Sequence, residues 1–170
     1  MTSEEPWDEA ARDAFRGLAG RVARGVAILS AVHRGHDHAT PVTDFLTVSW
    51  EPPTMLASLY SLGRMVEAVD AAGTWGLSVL GAEQAPVARW LGEPGTPLVG
   101  LLDNVPHWRT APGRPALVTD ALAWFELRTT TSIEVVTHTV VVGQVVAMGG
   151  SDGTAAPLVR ERGRYRTVAG

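Results

Sequence analysis

The sequence contains no cysteine and no lysine. The first absence excludes disulfides, thiolate nucleophiles and cysteine-ligated metal or iron–sulfur centres. The second leaves all fourteen cationic side chains as arginine. That is a compositional bias, but it suits planar, bidentate contact with phosphates and carboxylates. An excess of positive charge is missing too. The net charge of −4 gives no basic footprint, so nucleic acid is not expected as a partner. No apolar run approaches the ~20 residues that cross a bilayer, so no membrane partner is expected. The amino-terminal stretch MTSEEPWDEAARDAF lacks the basic and apolar regions of a secretory signal, and the expected location is cytoplasmic. GxSxG, P-loop, GxGxxG and HExxH motifs are all absent. Internal repeats, low-complexity tracts and linkers are absent as well.

What is present describes one domain. A chain of 170 residues, 45% hydrophobic and 19% charged, can bury a substantial core. Residues 1–170 are read as a single domain, with 1–7 as a flexible tail. A helix follows, with Ala11, Ala14, Phe15, Leu18 and Val22 at helical spacing and expected to face a core. Val26–Val32 reads as a largely buried strand, Arg34–Asp37 as a turn, and Ala39–Phe45 as the returning strand of a hairpin. Pro52-Pro53 marks an edge or loop before a strand over Thr54–Tyr60. A helix over Gly63–Ala72 presents Met65, Val66 and Val69 on one side and stops at Gly73. A strand over Trp75–Leu80 and a helix over Ala82–Leu91 come next. Gly92–Pro115 is mostly loop, suited to a lid or dimer arm. Two long β runs, Ala121–Thr130 and Thr137–Met148, follow. Gly143 in the second suggests a bulge or a close backbone approach. A basic strand or turn ends the chain. Many strands with few, irregularly placed helices argue for a mainly β fold with short helices, a β-barrel rather than alternating βαβ units.

Ala39–Val69 carries the most chemistry. Polar β residues Thr40, Thr43, Asp44, Thr47 and Ser49 precede the turn Ser61-Leu62-Gly63-Arg64, which opens a helix. Hydroxyls at strand ends beside a helix N-terminus offer a seat for a polar, anionic cofactor. Asp44 is either a strand-end turn residue or an acceptor for a ligand N–H. His33, His36 and His38 form HxxHxH around a hairpin tip. One local carboxylate, Asp37, is too few for a closed metal site, so no metal is expected. His138, between two threonines in a β run, is either a hydrogen-bonded strand histidine or an imidazole facing a cleft. The alternating Arg160, Arg162, Arg164 and Arg166 read as a solvated edge face or as a cationic rim for a nucleotide phosphate.

Four stretches together resemble the flavin reductase-like family, the FMN-binding split barrels that serve as reductase components of two-component flavin monooxygenases. They are FRGLAGRVARGVAILS (Phe15–Ser30), the Thr/Ser-Phe, Val-Ser and Pro-Pro elements of Thr40–Leu59, THTVVVGQV (Thr137–Val145) and Arg162-Gly163-Arg164-Tyr165-Arg166. The resemblance implies a homodimer of split β-barrels that binds FMN, with FAD as the alternative. It implies hydride transfer from NADH or NADPH to the flavin, and delivery of reduced flavin to a monooxygenase partner. It assigns cofactor binding to Thr40, Val42, Thr43, Asp44, Phe45, Ser49, Ser61, Leu62, Gly63 and Arg64, and a catalytic contact to His138. Three departures stand out. Gly63-Arg64-Met65 occupies the place of a common Ser-x-Thr, Asp44 that of a small hydroxyl residue and Arg160 that of a frequent aromatic. The first motivates one rival, a flavin-binding split barrel without reductase activity. A lower-ranked rival, an oxidoreductase related to pyridoxamine-phosphate oxidase, would rest on the C-terminal arginine row.

Overall fold

The computed structural model describes residues 7–168; the expected tail, Trp7 apart, lies outside them. In chain order the elements are α1 (Glu9–Ala19), β1 (Arg24–Gly25), β2 (Ala27–His33), β3 (His36–Val42), β4 (Phe45–Trp50), β5 (Pro53–Tyr60), α2 (Arg64–Ala72) and β6 (Thr74–Val79). A 3-10 turn (Ala82–Gln84) leads into α3 (Ala85–Gly92), followed by β7 (His107–Trp108), β8 (Leu117–Val118), β9 (Ala123–Val135), β10 (His138–Gly150), β11 (Leu158–Glu161) and β12 (Arg164–Thr167). The fold is therefore mainly β with three short α-helices among the described residues.

Seven strands form one antiparallel sheet in the order β3-β2-β6-β9-β10-β5-β4. Its two edge strands are consecutive in sequence, joined only by Thr43-Asp44. Three peptide steps separate Val42 from Phe45, a reach of about 11 Å at most. A flat seven-stranded sheet would hold its edges about 29 Å apart. The sheet therefore curls until its edges meet at Thr43-Asp44, although β3 and β4 are not paired with each other.

Two cores share β2, whose side chains alternate between faces. Ala27, Leu29 and Ala31 point into the curl with Met55, Leu59, Trp75, Leu77, Leu127 and Val141. There α2 supplies Met65, Ala68 and Val69 and ends at Gly73 in the left-handed region (φ 66°), as its sequence predicts. Val26 and Ile28 face outward into a second core with Leu80, Leu91, Leu101, Leu102, Val105 and Leu158. Gly143 satisfies both of its expectations. The β9–β10 register slips between Val142 and Gly143, and a Cβ on Gly143 would lie 3.0 Å from the Trp75 ring.

Three expectations are corrected. The apolar stripe of α1 faces no core: the helix buries no residue, and Phe15 and Leu18 are 61% and 58% exposed. Asp8 caps it, accepting a hydrogen bond from the Ala11 N–H at 2.7 Å. Its C-terminal end is tied back where the Arg162 N–H donates to Gly20 O. Phe45 belongs to β4, not to the strand returning from the hairpin, because the chain turns at Thr43-Asp44. The segment after α3 is no free arm. The Trp90 indole donates to Leu101 O at 3.0 Å, Ser30 Oγ donates to Ala116 O, and Arg109 grips both Asp37 oxygens at 2.8 and 2.7 Å.

Candidate cofactor site

The corner that closes the sheet carries the polar residues singled out above. Thr40, Val42, Thr43 and Asp44 line a groove of about 260 Å³ there, opposite Ser58, Leu59 and Tyr60 of β5, with Gly63 and Met65 at its end. Asp44 O accepts the Ser58 N–H at 2.8 Å, which fixes the corner against β5. The Asp44 carboxylate is half exposed and lies 3.4 Å from the Arg24 guanidinium. Phe45, on the flank of the corner, packs its ring against the inner core and lines a shallow side groove with Thr43 and Asp44.

Past Gly63 a second groove, of about 220 Å³, lies between the first turn of α2, β3 and the end of α3. His38, Thr40, Arg64, Glu93 and Thr96 line it, and it shares Thr40, Gly63 and Met65 with the corner groove. At its junction the N-cap of α2 is Gly63, which brings no side-chain cap. Val66 N–H donates back to Gly63 O at 3.2 Å, which leaves the Arg64 and Met65 N–H groups without an intrahelical partner. Arg64 makes no ion pair among the described residues. The two grooves together are a trough with hydroxyls and the Asp44 carboxylate at one end and the Arg64 guanidinium, beside Glu93 and Thr96, at the other.

His38, Thr40 and Val42 alternate along β3 and so share one face. His38 is almost buried (7% exposed). Burial first, then the positive potential of His33, Arg64 and His36, lowers its pKa below 6.5; Glu67 opposes the shift. It is accordingly a neutral wall of the groove near neutral pH. His33 lies 3.5 Å from Glu67 across the β2–α2 contact. No group of three or more His, Asp or Glu converges as metal ligands among the described residues.

The trough thus gathers Thr40, Val42, Thr43, Asp44, Gly63 and Arg64, with Phe45 at its flank. Ser61 is adjacent, but its hydroxyl is shared with Thr139 Oγ1 at 3.0 Å. Leu62 projects into solvent, 85% exposed. Ser49 lies apart, at the β4–β5 turn, where its Oγ accepts the Glu51 N–H at 3.2 Å. The strand bulges between Thr47 and Ser49, so an alternation counted from the corner does not carry through to Ser49. His138 opens β10 and is exposed. Its ring lies edge-on to Tyr60 at 5.9 Å, and its Nδ1 is 3.0 Å from the Thr137 hydroxyl. Residue reasoning did not single out His38, Ser58 or Tyr60 as groove residues. His38 was discoverable, because it stands two residues from Thr40 on the same strand.

The model of the flavin reductase like domain matches residues 19–169. The chain belongs to the flavin reductase-like family. Within it, the chain is 33% identical over 155 residues to the NADH-dependent flavin reductase StyB of Pseudomonas fluorescens, covering 89% of this chain and 86% of that protein. It is 30% identical over 161 residues to the reductase component of 4-nitrophenol 4-monooxygenase/4-nitrocatechol 2-monooxygenase of Rhodococcus opacus, covering 95% and 82%. The solved styrene monooxygenase flavin reductase of Pseudomonas putida S12 superposes with a TM-score of 0.78 at 31% identity, covering 91% of this chain and 97% of that one.

Proposed function

We propose that the protein is an NAD(P)H-dependent flavin reductase that takes up FMN, or FAD, and supplies reduced flavin to a partner monooxygenase. The observation that carries the site assignment is the trough: Thr43 and Asp44 at one end, Arg64 and the uncapped α2 N-terminus at the other. The donor set suits a flavin. An isoalloxazine edge needs an acceptor for N3–H and donors for its carbonyl oxygens, which Asp44, Thr43 and nearby backbone groups can supply. A phosphate needs N–H groups and a cation, which the first turn of α2 and Arg64 can supply. Thr40, Val42 and Phe45 would wall the trough, with Ser61, Leu62 and Gly63 shaping the turn. Ser49 stands outside it.

When bound, a flavin accepts hydride from a reduced nicotinamide by stacking, without a strong acid or base. The chain's own work is to hold and orient the two partners. Tyr60 lines the corner groove, with the His138 ring edge-on behind it at 5.9 Å; the pair would position the nicotinamide. The relatives named above support the reductase activity and the monooxygenase partner. The curled sheet with an unpaired seam fits a split barrel in a single domain, and the exposed apolar faces of α1 and β4 fit a homodimer. No helix is long and apolar enough to cross a membrane among the described residues; we read the location as cytoplasmic. A flavin carrier without turnover is the second reading. It is favoured by one observation: His138 is exposed and turned to the Thr137 hydroxyl, outside the lining of the corner groove.

Anaerobic titration of the purified protein plus FMN with NADH separates the two readings. Bleaching of the oxidised-flavin spectrum at catalytic protein is the expected result. Flavin binding without bleaching selects the carrier. His138→Ala should lower turnover about tenfold while flavin affinity changes little; equal loss of both would make His138 merely structural.

A further inference from the structure

A third groove leaves the corner on the other side of Thr43. Its volume is about 310 Å³, and α1, β1 and the β11–β12 hairpin wall it through Arg16, Arg24, Arg160 and Arg162. Thr43 lines both this groove and the corner groove, so the two meet there. Four guanidiniums at one groove in a chain of net charge −4 call for a physical account.

The fold supplies only part of one. Arg24 and Arg160 are direct cross-strand partners on β1 and β11. They share a sheet face, and like charges placed opposite one another are destabilising. The nearby carboxylates relieve this only in part. Asp44 lies 3.4 Å from Arg24, Asp13 3.2 Å from Arg16 and Glu161 3.5 Å from Arg162. The Asp13–Arg16 pair is largely in solvent and contributes little. Arg160 makes no ion pair among the described residues; its guanidinium lies 5.8 Å from the Tyr165 ring centroid. An anion with several oxygens would neutralise the opposed pair and accept forked hydrogen bonds from it.

We propose that this groove receives the pyrophosphate of the nicotinamide dinucleotide, with Arg160 its principal contact. The inference rests on the corner groove as the isoalloxazine seat. Arg64 and α2 lie beyond one end of that seat and the arginine groove beyond the other, so flavin phosphate and dinucleotide phosphates take opposite sides. A nicotinamide stacked at the corner would have the arginine groove within reach of its phosphates through Thr43, which lines both. The groove's volume is at the small end of the ~300–1,000 Å³ typical of ligand pockets, enough for part of a dinucleotide.

Steady-state kinetics of the full chain with NADH and FMN test the assignment. Arg160→Gln should raise the KM for NADH about tenfold. That rise should exceed any fall in kcat, while the KM for FMN stays within about twofold. Its thermal midpoint should equal or exceed the parent's, because a like-charge contact is gone. Inorganic pyrophosphate should compete with NADH, not FMN, on the unaltered protein. An unchanged KM for NADH in Arg160→Gln, or pyrophosphate that does not compete with NADH, overturns the proposal. So does a rise in the FMN KM alone, which would give the groove to the flavin. Arg64→Gln separates the two levels. If it weakens FMN while Arg160→Gln is inert, only this inference fails; if it leaves FMN untouched, the corner assignment beneath it fails.

Discussion

His38 shows how a single side chain can wall a polar groove without bringing charge to it. Its lowered pKa follows from burial and from the positive neighbours His33, Arg64 and His36. The unfolded chain binds a proton at this site near pH 6.5, and the folded chain resists it. In that interval the unfolded state holds more protons, so stability is full above 6.5 and falls as the pH drops toward the lower folded value. His38→Gln should remove this contribution. Urea midpoints at about pH 7.5 and about pH 5.5 should differ less in the variant than in the parent, since other titrations are common to both. An identical difference in both proteins would mean that His38 titrates normally. Much of the trough was legible at this scale. Thr40, Thr43, Asp44 and Arg64 sit at strand ends and a helix start, where polar residues have few structural reasons to be. Ser49 entered through the family resemblance, and it sits at the β4–β5 turn beyond a bulge, away from the corner. The engagement of Ser61 by Thr139 joins residues 78 apart in sequence, a pairing no local pattern contains.

Among the elements, the segment between α3 and β9 departs furthest from its sequence. Rich in glycine and proline, it reads as loop, and it is held like a core element. Glu126 on β9 is only 2% exposed and accepts a hydrogen bond from the Thr110 hydroxyl. The Arg114 guanidinium lies 3.2 Å from its other oxygen. Removing one partner of a buried ion pair costs about 3–5 kcal/mol. Arg114 is itself 44% exposed, so Glu126→Ala should cost less, about 2–3 kcal/mol. The loss should appear as a lower urea midpoint together with faster amide exchange over residues 107–118. Loss of stability with unchanged exchange there would show that Glu126 is not the anchor. Strands and helices inside the curl were legible because apolar periodicity reports burial. This segment was not, since its order comes from side chains reaching other strands.

At the scale of the molecule, the apolar faces left over from folding a single chain are those on which the proposed second copy would pack. Leu18 on α1, and Leu46, Val48 and Trp50 on β4, are all more than half exposed and lie outside the arginine groove. The apolar stripe of α1 was read correctly as a stripe. Its destination was not, because periodicity names a buried face without naming what buries it. Light scattering should give twice the 18.0 kDa of one chain. Trp50→Asp should weaken association at least about tenfold. A parent protein that stays monomeric at high concentration would leave these faces to another partner.

The two-residue link between β3 and β4 has a bearing on how this chain can change. Elsewhere an inserted loop residue is cheap, since doubling a flexible loop costs only about 0.6 kcal/mol. Thr43-Asp44 has no such slack, because it is the stitch that draws opposite edges of a seven-stranded sheet together. Lengthening it would part the seam and open the corner, side and arginine grooves, which Thr43 lines. This inelastic connection is the one against which flavin and dinucleotide are proposed to lie, so ligand preference here is free to drift through side chains and not through loop length.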